Sequence, residues 1–135
     1  MKLSAEEARA RFAAARVARL ATASASGVPH LVPVTFAVHG DQVVFAVDHK
    51  PKSSTSLRRL ANIAENPAVC FLADGYAEDW AELWWARADG VAEVVSERAE
   101  PVSWLVAKYE QYVARPPEHA VVVTTVHTWR GWSGS

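Results

Sequence analysis

The sequence predicts a mainly β protein with flanking helices, packed as a small closed or split antiparallel barrel of six strands. Three observations carry that expectation. Short apolar runs follow one another through turns built on Ser24-Ala25-Ser26-Gly27 and His39-Gly40-Asp41, whereas a doubly wound parallel sheet needs a helix between each pair of strands. Only three stretches carry helical spacing. Half of the 135 residues are apolar, which fits one globular domain spanning 1–135 and leaves little room for a second.

Ser4-Ala5-Glu6-Glu7 reads as a capping box, and Ala8, Phe12 and Ala15 then share one side of a helix from about Ala5 to Ala15. Val17 to Ala23 is short, apolar and Thr-containing, and His30 to Val38 favours extended structure through Val32, Val34 and Phe36, so the two are expected to pair. After the Gly40 turn, Val43 to Val47 returns as a third strand. From Ser53 the period changes. Leu57, Leu60, Ala61 and Ala64 fall at helical spacing, with Arg58, Arg59 and Glu65 on the other side, until Asn66-Pro67 ends the pattern. Ala68 to Ala73 is a strand, Gly75 to Asp79 a loop, and Leu83 to Val95 a longer strand in which Gly90 marks a bulge or a close backbone approach. Glu97 to Val113 places Val102, Leu105, Val106 and Tyr109 at helical spacing, Arg115-Pro116-Pro117 stops it, and Ala120 to Val126 is a last β-branched strand leading into Trp129.

Fourteen Lys and Arg against fifteen Asp and Glu give a formal charge of −1, so no global field draws the molecule to nucleic acid or an anionic membrane. Any bound anion must be met locally. The single cysteine, Cys70, lies in an apolar run, excludes an intrachain disulfide and reads as a small buried hydrophobe in a reducing, cytoplasmic setting. Arginines at 9, 11, 16 and 19 interrupt the amino-terminal apolar positions, so neither a signal peptide nor a membrane span is expected there.

The segment His49 to Leu60 carries four fixed cations, Lys50, Lys52, Arg58 and Arg59, and no acid. Pro51 stiffens its loop, and the hydroxyls of Ser53, Ser54 and Thr55 fall where helix N–H groups are free. Such a concentration of donors is how proteins hold phosphate or carboxylate groups. Neither a P-loop nor a three-glycine dinucleotide fingerprint is present, so the anion must be held by side chains and a helix end. Six tryptophans are the second anomaly. Trp80 and Trp104 read as rings filling the barrel or an oligomer contact. Trp84 and Trp85 point to opposite faces of a strand, so one can enter the barrel while the other covers a partner subunit or a flat ligand. Trp129-Arg130-Gly131-Trp132 suits a wall for a planar cofactor or a dimer edge. The five histidines lack metal-ligand spacing, so no metal is expected, and no acid/base pair or nucleophile elbow stands out. His30, beside Pro29, is a minor ligand-contact candidate.

Arg19-Leu20-Ala21-Thr22, Gly27-x-Pro29-His30-x-Val32-Pro33-Val34-x-Phe36, the Gly40-Asp41 turn, Asp48-x-Lys50-Pro51-Lys52 and Asn66-Pro67, taken in order, resemble the pyridoxamine 5′-phosphate oxidase-like split-barrel family. They are most similar to its deazaflavin branch, the oxidoreductases that use coenzyme F420. The resemblance covers nearly the whole chain and implies a homodimer with cofactor in a groove between subunits. It places Pro33, Val34 and Thr35 along the ring, with Val47, Asp48 and His49 bordering the groove. Lys50, Lys52, Ser53 and Ser54 would take the phosphate, and Arg58 would reach an acidic cofactor tail. Trp84, Trp85 and Arg87 would approach from the partner, and Trp129 with Gly131 would close the site. Lys50-Pro51-Lys52 departs from the Arg-Lys pair that FMN-binding members often carry, which favours F420 over FMN.

The expected activity is hydride transfer between the deazaflavin and a small-molecule acceptor, with the difficult chemistry carried by the cofactor, so a catalytic dyad is not required. An FMN-dependent oxidase or reductase of the same fold, and a non-enzymatic carrier of a cofactor or haem, are the competing expectations.

Overall fold

A computed structural model describes residues 1–47 and 54–135, with residues 54–57 described by backbone alone. The predicted antiparallel architecture is present as one sheet of seven strands in the order β2-β1-β5-β6-β7-β4-β3. In chain order the elements are α1 (Ala5–Ala14), β1 (Ala18–Ala23), β2 (Pro29–Val34), β3 (Ala37–His39), β4 (Gln42–Ala46), α2 (Ser54–Glu65) and β5 (Ala68–Gly75), followed by β6 (Trp84–Val95), α3 (Ala99–Lys108), α4 (Glu110–Ala114) and β7 (Val121–Ser133). A single 3₁₀ turn at Trp80–Glu82 precedes β6. No helix among the described residues is long and apolar enough to cross a membrane.

Six expected strands became seven because the run from His30 to Val38 breaks at Thr35-Phe36. β2 pairs with β1 (Leu20 opposite Val32), whereas β3 turns away to pair with β4 (Val38 opposite Val43). The break has a tertiary cause: the Phe36 N–H donates to the Tyr109 hydroxyl at 3.1 Å instead of to a neighbouring strand. Three expected helices became four, because Tyr109 itself adopts extended backbone between α3 and α4.

The capping box is as read: the Glu7 N–H donates to Ser4 Oγ at 3.1 Å and the Ser4 N–H donates to Glu7 Oε1 at 3.0 Å. The carboxylate's proton affinity is lowered by these Ser4 bonds, backbone first. α1 presents Ala8 and Phe12, both fully buried, to the inner face of the sheet. There Phe12 meets Phe36 at 4.6 Å, Trp129 at 5.6 Å and Phe71 at 6.1 Å between ring centroids. α2 is phased differently from the reading. Leu60 packs against the core as read, but Ala61 and Ala64 face solvent, and among the residues described with side chains the buried ones are Asn62 and Ile63, the Asn62 amide donating to the buried Thr22 hydroxyl at 3.0 Å. Apolar spacing alone could not anticipate a helix that docks through an amide.

Inward positions of β6 are small (Ala86, Ala88, Gly90, Ala92), leaving room for the phenylalanines from α1 and β5. At Gly90 the β6–β7 register shifts, and a Cβ there would collide with the Thr125 carbonyl oxygen, so the glycine serves close backbone approach as expected. The amino-terminal segment lies against β7, with Lys2 bridging Trp132 and the Leu3 N–H donating to the Gly131 carbonyl at 3.0 Å. A second cluster, built on Val44, Leu105, Tyr109, Val121 and Val123, sits where α3 covers β4 and β7.

Candidate functional site

A cleft of about 690 Å³ opens where the end of β2 meets the α3–α4 corner. Pro33, Val34 and Thr35 form one wall, and Ala46 of β4 and Arg59 of α2 also line the cleft. Arg16, from the α1–β1 connection, with Tyr109, Tyr112 and Arg115 forms the opposite wall. β2 is the terminal strand of the sheet, so its outer edge keeps peptide groups that no other strand among the described residues engages.

That opposite wall is fixed by a hydrogen-bond network around Tyr109. The Tyr109 hydroxyl accepts from the Phe36 N–H and donates to the Arg16 carbonyl at 2.9 Å, bridging the β2–β3 break to the α1–β1 connection. Burial first, and then the neighbouring Tyr112, raise this phenol's proton affinity against the opposing pull of the Phe36 N–H and Arg16. The Arg16 guanidinium lies 4.8 Å from the centre of the Tyr109 ring and donates to the Lys108 carbonyl at 3.0 Å, capping the end of α3. Lys108 Nζ donates to the Ala15 carbonyl at 2.7 Å and sits 3.7 Å from the Phe36 ring centre. Burial of that ammonium, and secondarily the charge of Arg16, push its pKa down to about 8. Tyr112 stands nearly perpendicular to Tyr109, 5.8 Å away, and its hydroxyl shares a 3.1 Å hydrogen bond with Thr35 Oγ1 across the cleft.

His30 lies in β2 three residues before Pro33, opposite Thr22, with its Nδ1 buried and without a hydrogen-bond partner. Burial, then Arg59 and Arg58, lower its proton affinity, so the imidazole is held neutral beside two cations.

A second cleft, also of about 690 Å³, lies on the outer face of β1, β5 and β6. Trp85, Leu31, Leu72 and Trp132 supply apolar walls, while Arg19 and Arg87 face Asp74 and Asp89. Arg87 holds Asp89 through two nitrogen contacts, at 2.9 and 3.1 Å, and lies 5.9 Å from the centre of the Trp85 ring. Cys70 lines this cleft and is half-buried, a correction to the reading of it as a core hydrophobe. Burial, then Asp89, raise its thiol pKa, so the thiol form is favoured.

The structure therefore divides the sequence-predicted site residues. Pro33, Val34 and Thr35 share the first cleft. Trp84, Trp85 and Arg87 share the second, on the same chain but a different face. The two tryptophans were read only as facing opposite sides; Trp84 is the one packed against the core, and both line the second cleft. Val47 is buried just beyond β4, its N–H donating to the Ala120 carbonyl at 2.8 Å. Arg58 is exposed on α2. Asp48, His49, Lys50, Lys52 and Ser53 lie outside the described residues, and Ser54 opens α2. Trp129 and Gly131 line neither cleft: the Trp129 ring packs on Phe12 and donates to Asp41 Oδ1 at 3.0 Å, and Gly131 is buried beneath Leu3 and Ala8 of the amino-terminal segment. Trp80 is 75% exposed and fills no barrel, and Trp104 stacks on His39 at 4.3 Å, outside the main core. Arg16, Tyr109, Tyr112 and Arg115 were not singled out for the site by the sequence reading, and Arg59 entered it only as one cation of the basic segment.

The fold is shared with solved structures of low sequence identity. A FAD-binding protein from Mesorhizobium loti is 19% identical with a TM-score of 0.75, over 97% of this chain and 93% of that one. The FAD-binding protein from Mycobacterium smegmatis is 22% identical with a TM-score of 0.68, over 98% of this chain and 97% of that one. A heme storage protein from Vibrio cholerae is 15% identical with a TM-score of 0.70, over 97% of this chain and 95% of that one. No curated protein matches the sequence. Residues 4–133 match the family described as pyridoxamine 5′-phosphate oxidase, a span that takes in every strand of the sheet and both walls of the first cleft, and the chain belongs to that family.

Proposed function

We propose that the chain is an oxidoreductase that holds the planar ring of a flavin-type cofactor along the Pro33–Thr35 edge of the first cleft, with F420 the expected cofactor and FMN its competitor. The observation that carries this reading is the combination in one place of a terminal strand edge and a cleft within the usual 300–1,000 Å³ range of small-molecule sites. Peptide groups on such an edge suit the row of donors and acceptors that an isoalloxazine or deazaflavin ring presents. When bound, the cofactor supplies the hydride. The chain's own residues would orient the ring, exclude water through Val34 and Tyr109, and place an acceptor against the Thr35–Tyr112 pair. Lys50, Lys52, Ser53 and Ser54 are proposed for the phosphate, and Arg58 for an acidic tail. FAD-binding relatives of the same fold support a flavin-type ligand, and the Lys50-Pro51-Lys52 series supports the deazaflavin among them.

A homodimer is part of the proposal. The second cleft's face presents Leu31 at 67% and Trp132 at 39% exposure beside paired opposite charges, the composition of a surface that can meet its own copy. Through it Trp84, Trp85 and Arg87 of one protomer would border the groove of the other.

Titration of the purified protein with F420, FMN and FAD, read by fluorescence, tests the cofactor. F420 should bind most tightly, and preference for FMN or FAD would reject the deazaflavin assignment. Lys52→Ala should weaken the preferred cofactor by about 1–3 kcal/mol if the lysine meets the phosphate. Reoxidation of bound reduced cofactor by candidate acceptors separates an enzyme from a carrier.

A further inference from the structure

We infer that His30 is a positioning residue and a proton-sensitive seat for α2: while its ring is neutral the helix lies on β1 and β2, and protonation of the ring lifts the helix and with it the Arg59 side of the first cleft. The inference goes beyond the oxidoreductase reading and holds whichever molecule the cleft takes. His30 and Thr22 are partners across β2 and β1, and cross-strand partners project to the same side of a sheet. Thr22 projects to the side that α2 covers, since its buried hydroxyl accepts from the Asn62 amide at 3.0 Å. The imidazole therefore lies beneath the helix.

α2 brings positive charge to that ring. Arg58 and Arg59 precede Asn62 by four and three residues and so share its side of the helix. Among the described residues they are the charges that act on the ring, and both are cationic. The acid on this side of α2 is Glu65, three residues after Asn62, and its Oε1 accepts from the Ala25 N–H at 3.4 Å in the β1–β2 turn. β1 opposes His30 with the neutral Thr22. A neutral imidazole adds no charge under the two guanidinium groups. A protonated one is a third cation in which both nitrogens are donors, and the buried Nδ1 has no acceptor among the described residues. Leu60 and Ile63 pack on the core and the Asn62 and Glu65 bonds hold the helix down, so the added charge works against a defined set of contacts. Burial first, then Arg59 and Arg58, keep the ring's proton affinity low in the seated state, and an unseated helix releases it. Seating is therefore firmest above the ordinary histidine value of 6.5 and weakens as pH falls below it. Because Arg59 lines the first cleft together with Pro33–Thr35, the proton reaches the cleft through the helix.

The test is amide hydrogen exchange of the full chain at about pH 7.5 and about pH 5, read as protection factors corrected for the intrinsic rate, with NMR titration of the histidine rings alongside. That window stays above the ordinary carboxylate range, so acids remain ionised throughout. From the higher to the lower pH, protection across residues 58–65 of α2 should fall at least about threefold more than protection in β5, which reports any loss of the whole fold. The His30 ring, identified by its disappearance in His30→Gln, should titrate below 6.5. In His30→Gln the amides of α2 should follow those of β5 at both pH values. Arg58→Gln, at an exposed position, should raise the His30 titration and shrink the excess loss in α2, and it decides the matter should His30→Gln fail to fold. Equal loss in α2 and β5 overturns the inference, as does a His30 ring that titrates at or above 6.5, a His30 titration unmoved by Arg58→Gln, or an excess loss that survives His30→Gln.

Discussion

Lys108 offers a quantitative test of the wall that shapes the cleft. Its ammonium is half-buried between Phe36 and the Ala15 carbonyl, and its pKa falls from about 10.5 to about 8 through burial and the charge of Arg16. A cation whose folded pKa lies below its unfolded value binds fewer protons in the native state, so stability is gained as pH rises from about 8 to 10.5 and lost on return. At about 1.36 kcal/mol per pH unit the whole interval would be worth roughly 3.4 kcal/mol. Water reaches much of the side chain, and screening reduces the expected gain to about 1–2 kcal/mol. Lys108→Met keeps the aliphatic stem over Phe36 and removes the titrating group. Urea unfolding of both proteins at closely spaced pH values between 7 and 11 isolates the effect, because tyrosines and other lysines titrate in both. Wild type should gain about 1–2 kcal/mol on the variant across the window. A flat difference, or one that falls with pH, would refute the placement of a desolvated ammonium there.

Phe12→Ala should remove the ring that joins α1 to Phe36, Phe71 and Trp129 and cost about 3–5 kcal/mol, measured as a lower urea midpoint at unchanged slope. Gly90→Ala should cost at least about 2 kcal/mol, because the added methyl meets backbone of β7 that cannot swing aside. Tyr109→Phe should cost about 1–3 kcal/mol by orphaning the Phe36 N–H, and amide exchange at Phe36 should quicken more than exchange in β5.

Local signals were legible where chemistry acts over a few residues. The Ser4–Glu7 box, the Gly40-Asp41 turn, the Asn66-Pro67 stop and the tight approach at Gly90 can each be read without knowing what lies across the fold. Breaks enforced from a distance could not be read so. Thr35-Phe36 continues a strand pattern, and Tyr109 continues a helical one; only the bond between Phe36 and Tyr109, residues 73 apart, shows why both elements end there. The face of α2 was read only in part for a related reason: Leu60 packs on the core, but Ala61 and Ala64 mimic an apolar stripe while Asn62 and Ile63 are the residues buried. In the candidate site the strand residues Pro33 to Thr35 carried a recognisable pattern. Arg16 and Arg115 carried none, because one interrupts a helix end and the other precedes two prolines, and only folding places both on one cleft.

β7 lies between β6 and β4 in the sheet, yet it is the last strand of the described chain. During vectorial synthesis the ribosome therefore releases six strands before the one that unites them. Until Val121–Ser133 emerges, β6 and β4 each present an unzipped, largely aliphatic border, the nascent form most open to capture by chaperones or by a neighbouring polypeptide. A premature stop between residues 115 and 121 would strand the molecule in that state, with the cleft's arginines already translated and no β7 to complete the sheet.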